Sequence, residues 1–494
     1  MIALGCVAAG IATAVALSRP SGRDPVRSAV SARHQASASS YTALATRSAR
    51  LLETTFYNGQ GLWRMCDPAI CNTKNRDWGA DALTNLLSFR WLISYDRSVL
   101  PVLRTLTQTA RYWAPGEPAS SDSVMWDAVA EARLYQATGS KVALAKAEAA
   151  LKWLGSMPGL ASGACPSIMY QWPHGQRGHL KTIETASNYL KAALLLYQVT
   201  RKSSYLATAK TQYALVRQYF LAPTQLYTAY MFDNGSACHV LPGRYFASVN
   251  GNMIWAGQAL AAATGQQSYL NEAVATARAV QAHLSDGAGV FADLQADNDI
   301  VGPLVEAMYS LATAGHAFAA RWLLANASAA GAAMNSVGEF GRFFDGPPPA
   351  VLATAWQIDG GIALIQAAAA LDPNGQPANP QFWGAATFVP DDRRMTRHPV
   401  RISFTGQAIA IMGTVGANCC STGHASVLVD GVPTFSQTGI WQNMSSPARQ
   451  QPDQVLFAWR WPGDGRHVIT IGPASYNGEE GGSFFAMSGY LVVR

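Results

Sequence analysis

Acidic and aromatic side chains gather at six points in this 494-residue sequence, each where an irregular stretch gives way to a helical pattern. The clearest point is residues 120–139, SSDSVMWDAVAEARLYQATG, where Asp122 opens a helix and Trp126 follows one turn later. Carboxylates can act as acid, base or nucleophile, and aromatic faces can hold sugar rings, so this combination suits cleavage of a glycosidic bond. The six helix starts carry Asp77, Trp78 and Asp81; Asp122, Ser123 and Trp126; His179, Lys181 and Glu184; Arg244, Tyr245 and Asn250; Asp293, Asp297 and Asp299; and Trp356 and Asp359.

Each of these side chains also has a purely structural interpretation. Asp122 would serve as an N-cap, because a carboxylate accepts bonds from the free N–H groups of a first helical turn. Asp297 and Asp299 would cap a later helix in the same way, Trp126 would be a core residue, and His179 would be a loop residue without a role. The chemical interpretation gains weight because similar helix starts recur around the one that carries Asp122.

The elements that would position these residues are helical from about residue 41 to residue 371. Short turns alternate with long connections rich in Gly, Pro, Asp and aromatic residues, and three of the turns are followed by similar openings, VALAKAEAAL, SYLATAKTQYAL and SYLNEAVATARAV. Such a repeated helical hairpin predicts a closed (α/α)6 barrel, with an open superhelix as the alternative. The long connections would then lie at one end, where function is usually carried. The predicted helices span residues 41–57, 78–95, 98–112, 122–137, 140–154, 181–199, 203–220, 250–263, 267–284, 299–312, 316–326 and 351–370.

Beyond residue 371 the helical periodicity stops and a second domain begins. Residues 372–399 are Pro-rich and irregular, which predicts a linker. Strand-like runs separated by Gly-containing turns then predict a small all-β sandwich over residues 400–494. We therefore expect a mainly α protein, with a leader segment and linker over residues 1–40 and a catalytic barrel over residues 41–371. The predicted strands cover residues 400–404, 408–415, 425–429, 454–461, 467–471 and 484–493.

The N-terminal segment and the cysteines favour export. Residues 2–17 form an apolar, Ala-rich run with an A-x-A candidate cleavage site, typical of a secretory signal, with a short membrane anchor as the alternative. Two of the seven cysteines, Cys66 and Cys71, share one loop where a disulfide would be useful. The cysteines form no CxxC pair, and we find no GxGxxG after a strand, no P-loop and no HExxH. We therefore expect no metal and no cofactor.

The charge pattern bears on the kind of partner. A net charge of +6 is mild for this length, and no basic run is interleaved with aromatics, so nucleic-acid binding has little support. Fourteen Trp and eighteen Tyr fit a protein that stacks sugar rings, although most will be core residues. We expect a secreted or cell-surface monomer whose partner is a polysaccharide or oligosaccharide.

Several segments resemble glycoside hydrolase family 76, the bacterial endo-α-1,6-mannanases, over roughly residues 51–371. GLWRM followed by DWGADALTNLL is similar to the family's first tryptophan-rich loop and second helix. DSVMWDAVAEARLYQATG is similar to its signature segment, in which two adjacent aspartates open a Trp-containing helix that closes on a Tyr-x-x-Thr-Gly turn. KTIETASNYLKAALLLYQVT and NGNMIWAGQALAAATG resemble its later inner helices. FTGQAIAIMG, VLVDGV and GRHVITIG in the C-terminal domain resemble carbohydrate-binding modules. The resemblance implies an (α/α)6 barrel that cleaves α-linked mannan.

The sequence departs from the family at the adjacent aspartates. Those positions fall on Asp122 and Ser123, or on Ser121 and Asp122 with the register moved by one, so only one carboxylate of the pair remains. The resemblance gives the first acid the role of nucleophile and the second that of acid/base, and a serine cannot protonate a leaving oxygen. Another rim acid would replace it, or the mechanism would be inverting, or the cavity would bind glycan without cleaving it. The candidate replacements are Asp297, Asp299, Asp359 and Glu184, of which the first three are preferred.

We therefore expect an exported glycoside hydrolase, endo-acting on an α-linked mannan or a related microbial cell-wall polysaccharide. Asp122 would be kept ionised by the start of its helix. The alternatives are a polysaccharide lyase that uses Tyr245, His179 and Asn250, and a non-catalytic glycan-binding wall protein. The expected catalytic residues are Asp122, Asp297, Asp299 and Asp359, and the expected substrate-binding residues are Trp78, Asp81, Trp126, His179, Lys181, Tyr245, Asn250 and Trp356.

Overall fold

The fold is described from a computed structural model. The described residues are 39–64, 74–75, 78–109, 120–156, 163–168, 180–241, 244–292, 300–341, 343–349, 355–377, 382–396, 398–415, 425–434, 451–473 and 485–494. The candidate sites Asp297, Asp299 and His179 and the apolar run 2–17 lie outside them. No helix within the described residues is long and apolar enough to cross a membrane.

The described residues of the region that the sequence predicts to be helical form twelve α-helices. Each corresponds to one predicted helix, with bounds that differ by a few residues where a cap or a strand takes over, and the first runs on into a π-helical turn, Leu52–Phe56. The helices are α1 (Tyr41–Leu51), α2 (Trp78–Ser94), α3 (Leu100–Gln108), α4 (Ser121–Thr138), α5 (Lys141–Gly155), α6 (Ile183–Thr200), α7 (Ser203–Phe220), α8 (Ala247–Thr264), α9 (Gln267–His283), α10 (Gly302–Thr313), α11 (Ala317–Ala332) and α12 (Ala355–Leu371).

The six even-numbered helices form a closed inner ring. Each packs on the next, from α2 through α4, α6, α8 and α10 to α12, and α12 packs back on α2. Burial explains which helices lie inside: every residue of α6 from Ile183 to Leu196 is buried, whereas α7 buries only one stripe of side chains. Gly251 lets two inner helices approach closely, because a Cβ there would lie 2.3 Å from the backbone N of Leu304. The predicted (α/α)6 barrel is confirmed, and the open superhelix is wrong.

Tight turns join the end of each of three inner helices to the outer helix that follows. The first residue after the helix has a left-handed backbone at Gly139 (φ 72°), Arg201 (φ 60°) and Gly265 (φ 74°), the usual way to end a helix abruptly. The N-termini of the inner helices and the long connections that precede them therefore share the opposite end of the barrel. We call this end the rim.

Short strands among the described residues of the barrel region are β1 (Trp63–Arg64), β2 (Lys74–Asn75), β3 (Leu180–Thr182), β4 (Tyr230–Asp233) and β5 (Cys238–Val240). The C-terminal domain is an antiparallel sheet. Its strands are β6 (Thr387–Thr396), β7 (Val400–Val415), β8 (Ala425–Val429), β9 (Val432–Pro433), β10 (Gln451–Pro473) and β11 (Phe485–Val493), in the spatial order β6-β11-β7-β10-β8-β9. Strand β6 lies within the predicted linker 372–399, where its pairing with β11 makes it part of the sheet. The pairs of predicted strands at 400–404 and 408–415, and at 454–461 and 467–471, are single long strands, with an irregularity in β10 between Arg460 and Gly465.

The C-terminal sheet packs on the rim of the barrel through an aromatic contact and hydrogen bonds. Phe343, in the connection between α11 and α12, lies in the core of the β-domain with its ring 6.0 Å from that of Phe457. The indole of Trp383 donates to the carbonyl oxygen of Asp345 (2.8 Å), and the backbone N of Arg460 donates to Oδ2 of Asp286 (3.2 Å). The two domains are therefore in direct contact through an interface, in addition to being joined along the chain.

Candidate active site

Asp122 lies in the first turn of α4 but does not cap it. The N-cap is Ser120, whose Oγ accepts from the backbone N of Ser123 (3.1 Å) and bonds to the Ser123 hydroxyl (2.8 Å). The carboxyl of Asp122 is thereby left for another use. Its Oδ1 is buried and has no hydrogen-bond partner among the described residues.

Glu184 lies in the first turn of the neighbouring inner helix, α6, and is buried. The Ser248 hydroxyl donates to its Oε2 (2.9 Å), the Asn188 amide lies 3.5 Å from its Oε1, and the Trp126 side chain also donates to it. Burial raises the pKa of Glu184 to about 7, although these three hydrogen bonds act to lower it. Glu184 therefore titrates near neutral pH, which is the range in which a catalytic acid or base works.

Asp122 and Glu184 form an interacting pair across two inner helices. Burial, and then the negative charge of Glu184, raise the pKa of Asp122 well above its usual value. Like charges that share a desolvated site cannot both ionise easily, so one carboxyl of such a pair keeps its proton. The expectation that the helix start keeps Asp122 ionised is not supported by these surroundings. Together the pair offers the acid and the carboxylate that glycoside hydrolysis requires.

A small sheet at the rim fixes the start of α6 and hence Glu184. Strands β3 (Leu180–Thr182), β4 (Tyr230–Asp233) and β5 (Cys238–Val240) pair antiparallel, and Thr182 at the end of β3 caps α6 by accepting from the backbone N of Glu184 (3.0 Å). A disulfide joins Cys165 to Cys238 and ties the loop before β3 to this sheet. The sequence did not indicate this pair, and the pair it did suggest, Cys66 and Cys71, lies outside the described residues.

Lys181 belongs to this support and not to the cavity wall. It is fully buried, and its ammonium lies 3.0 Å from Oδ2 of Asp233 and 2.5 Å from the carbonyl oxygen of Cys165. Burial lowers the pKa of Lys181. Burial acts to raise the pKa of Asp233, but N–H donors from Ala164 and Gly235 and the Lys181 ammonium lower it below its usual range. The predicted substrate-binding role of Lys181 gives way to a structural one, because its donors are already used.

Below the carboxyl pair, polar side chains continue into the barrel. Glu184, Asn188 and Lys191 lie on one face of α6, one and two turns apart, and a narrow cavity is lined by Asn188, Asn252, Lys191, Trp126, Glu306 and Asp359. The cavity floor is charged: Glu306 pairs with Arg133 and accepts from Lys191 (2.7 Å). Burial, together with the charge of Arg133, lowers the pKa of Lys191 well below its usual value.

Asp359, a predicted catalytic residue, lines this cavity but holds the start of the next inner helix. Its Oδ2 accepts from the backbone N of Gly302 (2.5 Å), and Val301 also donates to it. Burial raises the pKa of Asp359 to about 7 despite these two donors. The carboxylate oxygens of Asp359 therefore hold the N-terminus of α10 in place. This argues for a positioning role and against direct attack on a substrate.

The remaining predicted residues take different places. The Asn250 side chain accepts from the backbone N of Tyr227 (2.9 Å) and donates to the carbonyl oxygen of Phe246 (2.9 Å), so its amide is committed to the backbone. Asp81 and Tyr245 are buried, and Trp78 is half-buried at the start of α2. Trp126 is buried and donates to Glu184. Trp356 lies in α12, but its side chain is outside the described residues.

One group of potential metal ligands occurs among the described residues, and it is not arranged to hold a metal. Cys165, Asp233 and Cys238 lie within 4.8 Å of one another. The two cysteines are joined in the disulfide, and Asp233 is paired with Lys181, so no thiolate is available for a metal.

Glu184 is one of four acids that the sequence offers as a partner for Asp122, and the sequence favours Asp297, Asp299 and Asp359 over it. Among the described residues, Glu184 lies where its charge acts on Asp122. Its pattern carried a usable signal: Glu184, Asn188 and Lys191 place three polar groups on one face of an otherwise apolar helix. Ser248 and Asn252 repeat that signal on α8, where the side-chain amide of Asn252 donates to Oδ1 of Asn188 (2.9 Å). Stripes of polar residues on helices that are buried on all sides indicate a polar cavity.

Comparisons with known proteins agree on the fold. No protein-family model matches the chain, and no curated protein matches it. An inactive variant of the α-1,6-mannanase GH76A of Salegentibacter sp. HEL1_6, solved with α-1,6-mannotetrose, superposes with a TM-score of 0.60 at 18% identity and covers 68% of this chain and 100% of its own. The GH76 α-mannanase BT2949 of Bacteroides thetaiotaomicron gives 0.56 at 15% identity, covering 71% and 99%. Dfg5 of Chaetomium thermophilum, in complex with glucosamine, gives 0.53 at 12% identity, covering 69% and 92%. The chain therefore has the barrel fold of the family 76 glycoside hydrolases, as the sequence resemblance predicts.

Proposed function

We propose that this protein is a glycoside hydrolase that cleaves an α-linked mannan or a related microbial cell-wall polysaccharide, with Asp122 and Glu184 as its carboxyl pair. The observation that carries the proposal is the pairing itself. Two carboxyls from adjacent inner helices interact at the rim, and Trp126 bonds to one of them. Glycosidic cleavage needs one carboxyl that gives a proton and one that carries charge, and this site offers both.

The departure at Ser123 has a consistent explanation in this pair. The mannanases of the same fold include a variant that was made inactive at two adjacent aspartates. Here the second position is a serine whose hydroxyl bonds to the N-cap Ser120, so it contributes to the helix end. Glu184, which faces Asp122 from the next inner helix, supplies the carboxyl that the serine cannot.

The location and the substrate of the proposed enzyme follow from the same arguments. A protein that acts on a polymer too large to enter a cell has to be exported, and the apolar run 2–17 fits that requirement. The α-1,6-linked mannotetrose bound by the Salegentibacter enzyme makes α-1,6-mannan the first substrate to test. We propose endo action from the resemblance to the endo-α-1,6-mannanases, and the β-domain would bind the polymer beside the rim.

The lyase alternative has less support in this structure. A lyase would use Tyr245, His179 and Asn250 to abstract a proton from the substrate and to stabilise the negative charge that develops. The Asn250 amide is instead bonded to the backbone at Tyr227 and Phe246, and Tyr245 is buried. A non-catalytic glycan-binding protein would not need two carboxyls with raised pKa values in one site.

The direct test is product analysis after incubation with α-1,6-mannan and a panel of other cell-wall glycans. We expect the wild type to release saturated oligosaccharides, and Asp122→Asn and Glu184→Gln each to lose about 10²–10⁴-fold in rate. Glu148→Gln is the matched control, because Glu148 is a partly exposed acid paired with Lys202 on the outside of the barrel. Unsaturated products would show a lyase, and binding without any release of sugar would show a glycan-binding protein.

A further inference from the structure

We infer that Asp122 is the general acid and that Glu184 is the carboxylate that acts at the anomeric carbon. This inference rests on the proposed function and divides the roles within its carboxyl pair. It reverses the order that the family resemblance implies, in which the acid at the position of Asp122 is the nucleophile. The two carboxyls differ in the hydrogen bonds around them and in their burial, and they repel each other when both are charged.

Glu184 is surrounded by donors. The Ser248 hydroxyl reaches Oε2 at 2.9 Å, the Asn188 amide lies 3.5 Å from Oε1, and Trp126 donates a third bond. An indole N–H and an amide N–H can only donate, and such bonds are stronger to a carboxylate than to a neutral carboxyl. The site is therefore built to hold a negative charge on Glu184.

Asp122 has the opposite surroundings. Its Oδ1 is buried and accepts no hydrogen bond from the described residues, and the free N–H that a first-turn acid might use, that of Ser123, is bonded to Ser120. The start of α4 favours an anion there, but this effect is weak beside desolvation and a neighbouring like charge. A proton on Asp122 removes both penalties.

The titration behaviour agrees with this geometry. Burial and the charge of Glu184 raise the pKa of Asp122 well above its usual value, whereas three hydrogen bonds act to lower the pKa of Glu184. Both effects favour a proton on Asp122 beside an ionised Glu184. A site that holds one carboxyl protonated beside an ionised one is the arrangement that glycosidic cleavage needs at the start of the reaction.

The two carboxyls divide the proton transfer and the attack on the anomeric carbon between them. The proton of Asp122 passes to the glycosidic oxygen as the bond from that oxygen to the anomeric carbon breaks, and the bonding pair stays on the oxygen. In one route a carboxylate oxygen of Glu184 bonds the anomeric carbon to form a glycosyl ester, and a water that gives its proton to the deprotonated Asp122 then displaces Glu184. In the other route a water oxygen bonds the anomeric carbon while Glu184 takes the water proton, and Asp122 regains its own proton from solvent after the products leave. Each route consumes one water and hydrolyses one glycosidic bond.

Leaving-group dependence tests the assignment on the full-length protein. The two substrates are α-1,6-mannan, whose leaving group needs a proton, and the 2,4-dinitrophenyl glycoside of α-1,6-mannobiose, whose leaving group does not. We expect Asp122→Asn to lose at least 100-fold more rate on mannan than in the first-turnover release of dinitrophenolate. We expect Glu184→Gln to lose similar factors on both substrates. The alkaline limb of the wild-type pH profile on mannan should be absent on the dinitrophenyl substrate, for the wild type and for Asp122→Asn alike.

The outcomes separate this inference from the proposed function. If Glu184→Gln keeps the dinitrophenyl activity and Asp122→Asn does not, the roles are reversed and the inference is wrong while the hydrolase stands. Equal losses for Asp122→Asn on both substrates also contradict it. If the wild type cleaves neither substrate nor any other glycan of the panel, the proposed function itself fails. Glu148→Gln, outside the barrel, should match the wild type on both substrates.

Discussion

A single hydroxyl on α8 helps to decide which carboxyl of the pair is charged. Ser248 donates to Oε2 of Glu184 at 2.9 Å in a buried site, where a hydrogen bond to a charged group is worth more than one in water. Ser248 touches Glu184 and is not itself placed at the reacting bond. It therefore acts as a positioning residue, and its effect should be visible in titration rather than in a general loss of rate.

Ser248→Ala should move the acidic limb of the kcat/KM profile to higher pH. The substitution removes a donor that favours the anion, so the pKa of Glu184 rises from about 7 and more alkaline conditions are needed to ionise it. A shift of about one pH unit corresponds to about 1.4 kcal/mol of lost hydrogen bonding. Ser248→Thr keeps a hydroxyl and should keep the wild-type profile. A uniform drop in rate with both limbs unmoved would contradict the assignment.

The feature that the sequence predicts least well is the pairing of individual side chains. Asp122 could be singled out because it starts a Trp-containing helix, but its partner could not. The choice among Glu184, Asp297, Asp299 and Asp359 depends on which inner helices are neighbours and on how far each is rotated. Two of those acids lie outside the described residues, so the structure places only Glu184 and Asp359. Of these two, Glu184 faces Asp122 and Asp359 holds a helix.

At the scale of elements, Asp359 links two inner helices. It lies in α12 and accepts the N–H groups at the start of α10, where a Cβ on Gly302 would be only 2.8 Å from its Oδ2. Helix starts leave N–H groups unsatisfied, and a buried one without a partner is costly. The Asp359 carboxyl therefore caps the N-terminus of α10, a role that usually belongs to a residue at the start of the same helix.

Asp359→Ala should reduce stability more than it reduces catalysis. Loss of the acceptor leaves the N–H of Gly302 buried without a partner, which costs about 1–3 kcal/mol in the free energy of unfolding. Asp359→Asn keeps one acceptor oxygen and should lose less. Urea unfolding of both variants checks this, with product analysis on mannan in parallel. If Asp359→Asn unfolds like the wild type yet loses several orders of magnitude in rate, Asp359 is a catalytic residue after all.

The elements themselves were largely predictable, for physical reasons. Helices that are buried on all sides read as continuous apolar stretches, and the tight turns show as Thr-Gly pairs at Gly139 and Gly265, where a left-handed residue is needed. Ring closure was expected from six hairpins and is confirmed by contacts between α12 and α2. Strand β6 was missed because Pro-rich sequence suggests a linker, whereas its pairing with β11 depends on a distant part of the chain.

At the scale of the whole molecule, the β-domain is docked to the rim through buried acids. Asp286 and Asp345 lie in connections that lead from an outer to an inner helix, so both are at the same end of the barrel as Asp122. The charge of Asp286 acts on the buried carboxyl of Asp345, and Asp286 also accepts from the backbone N of Arg460 in the β-domain. The Arg460 guanidinium lies 3.9 Å above the ring of Phe382 and faces the acid pair.

This interface changes how the β-domain should be regarded. A tethered binding module would leave the barrel complete without it. Here Phe343 of the barrel packs into the core of the β-domain, and a cavity of about 210 Å³ at the junction is lined by both domains. Removing the domain would expose Phe343 and the acid pair. We therefore regard the β-domain as part of the rim.

The docking should be sensitive to pH because of the shared proton. Burial, and then the charge of Asp286, raise the pKa of Asp345 well above 3.8, while the positive charge of Arg460 acts in the opposite direction. Because the folded pKa is raised, the stabilisation is complete below the unfolded pKa of about 3.8 and is lost as the pH rises through the folded pKa. The loss is at most about 1.4 kcal/mol per pH unit in that window.

Asp345→Asn should flatten this dependence and make the protein more stable than the wild type at high pH. The amide has the size of the carboxyl but never ionises, so no repulsion of Asp286 develops as the pH rises. The measurement is the melting temperature from pH 4 to pH 9, with hydrogen exchange of the strand β10 amides around Arg460 as a local readout. Asp464→Asn, at an exposed position of the same strand, is the matched control and should follow the wild type. Equal pH dependence in wild type and Asp345→Asn would show that Asp345 does not control the docking.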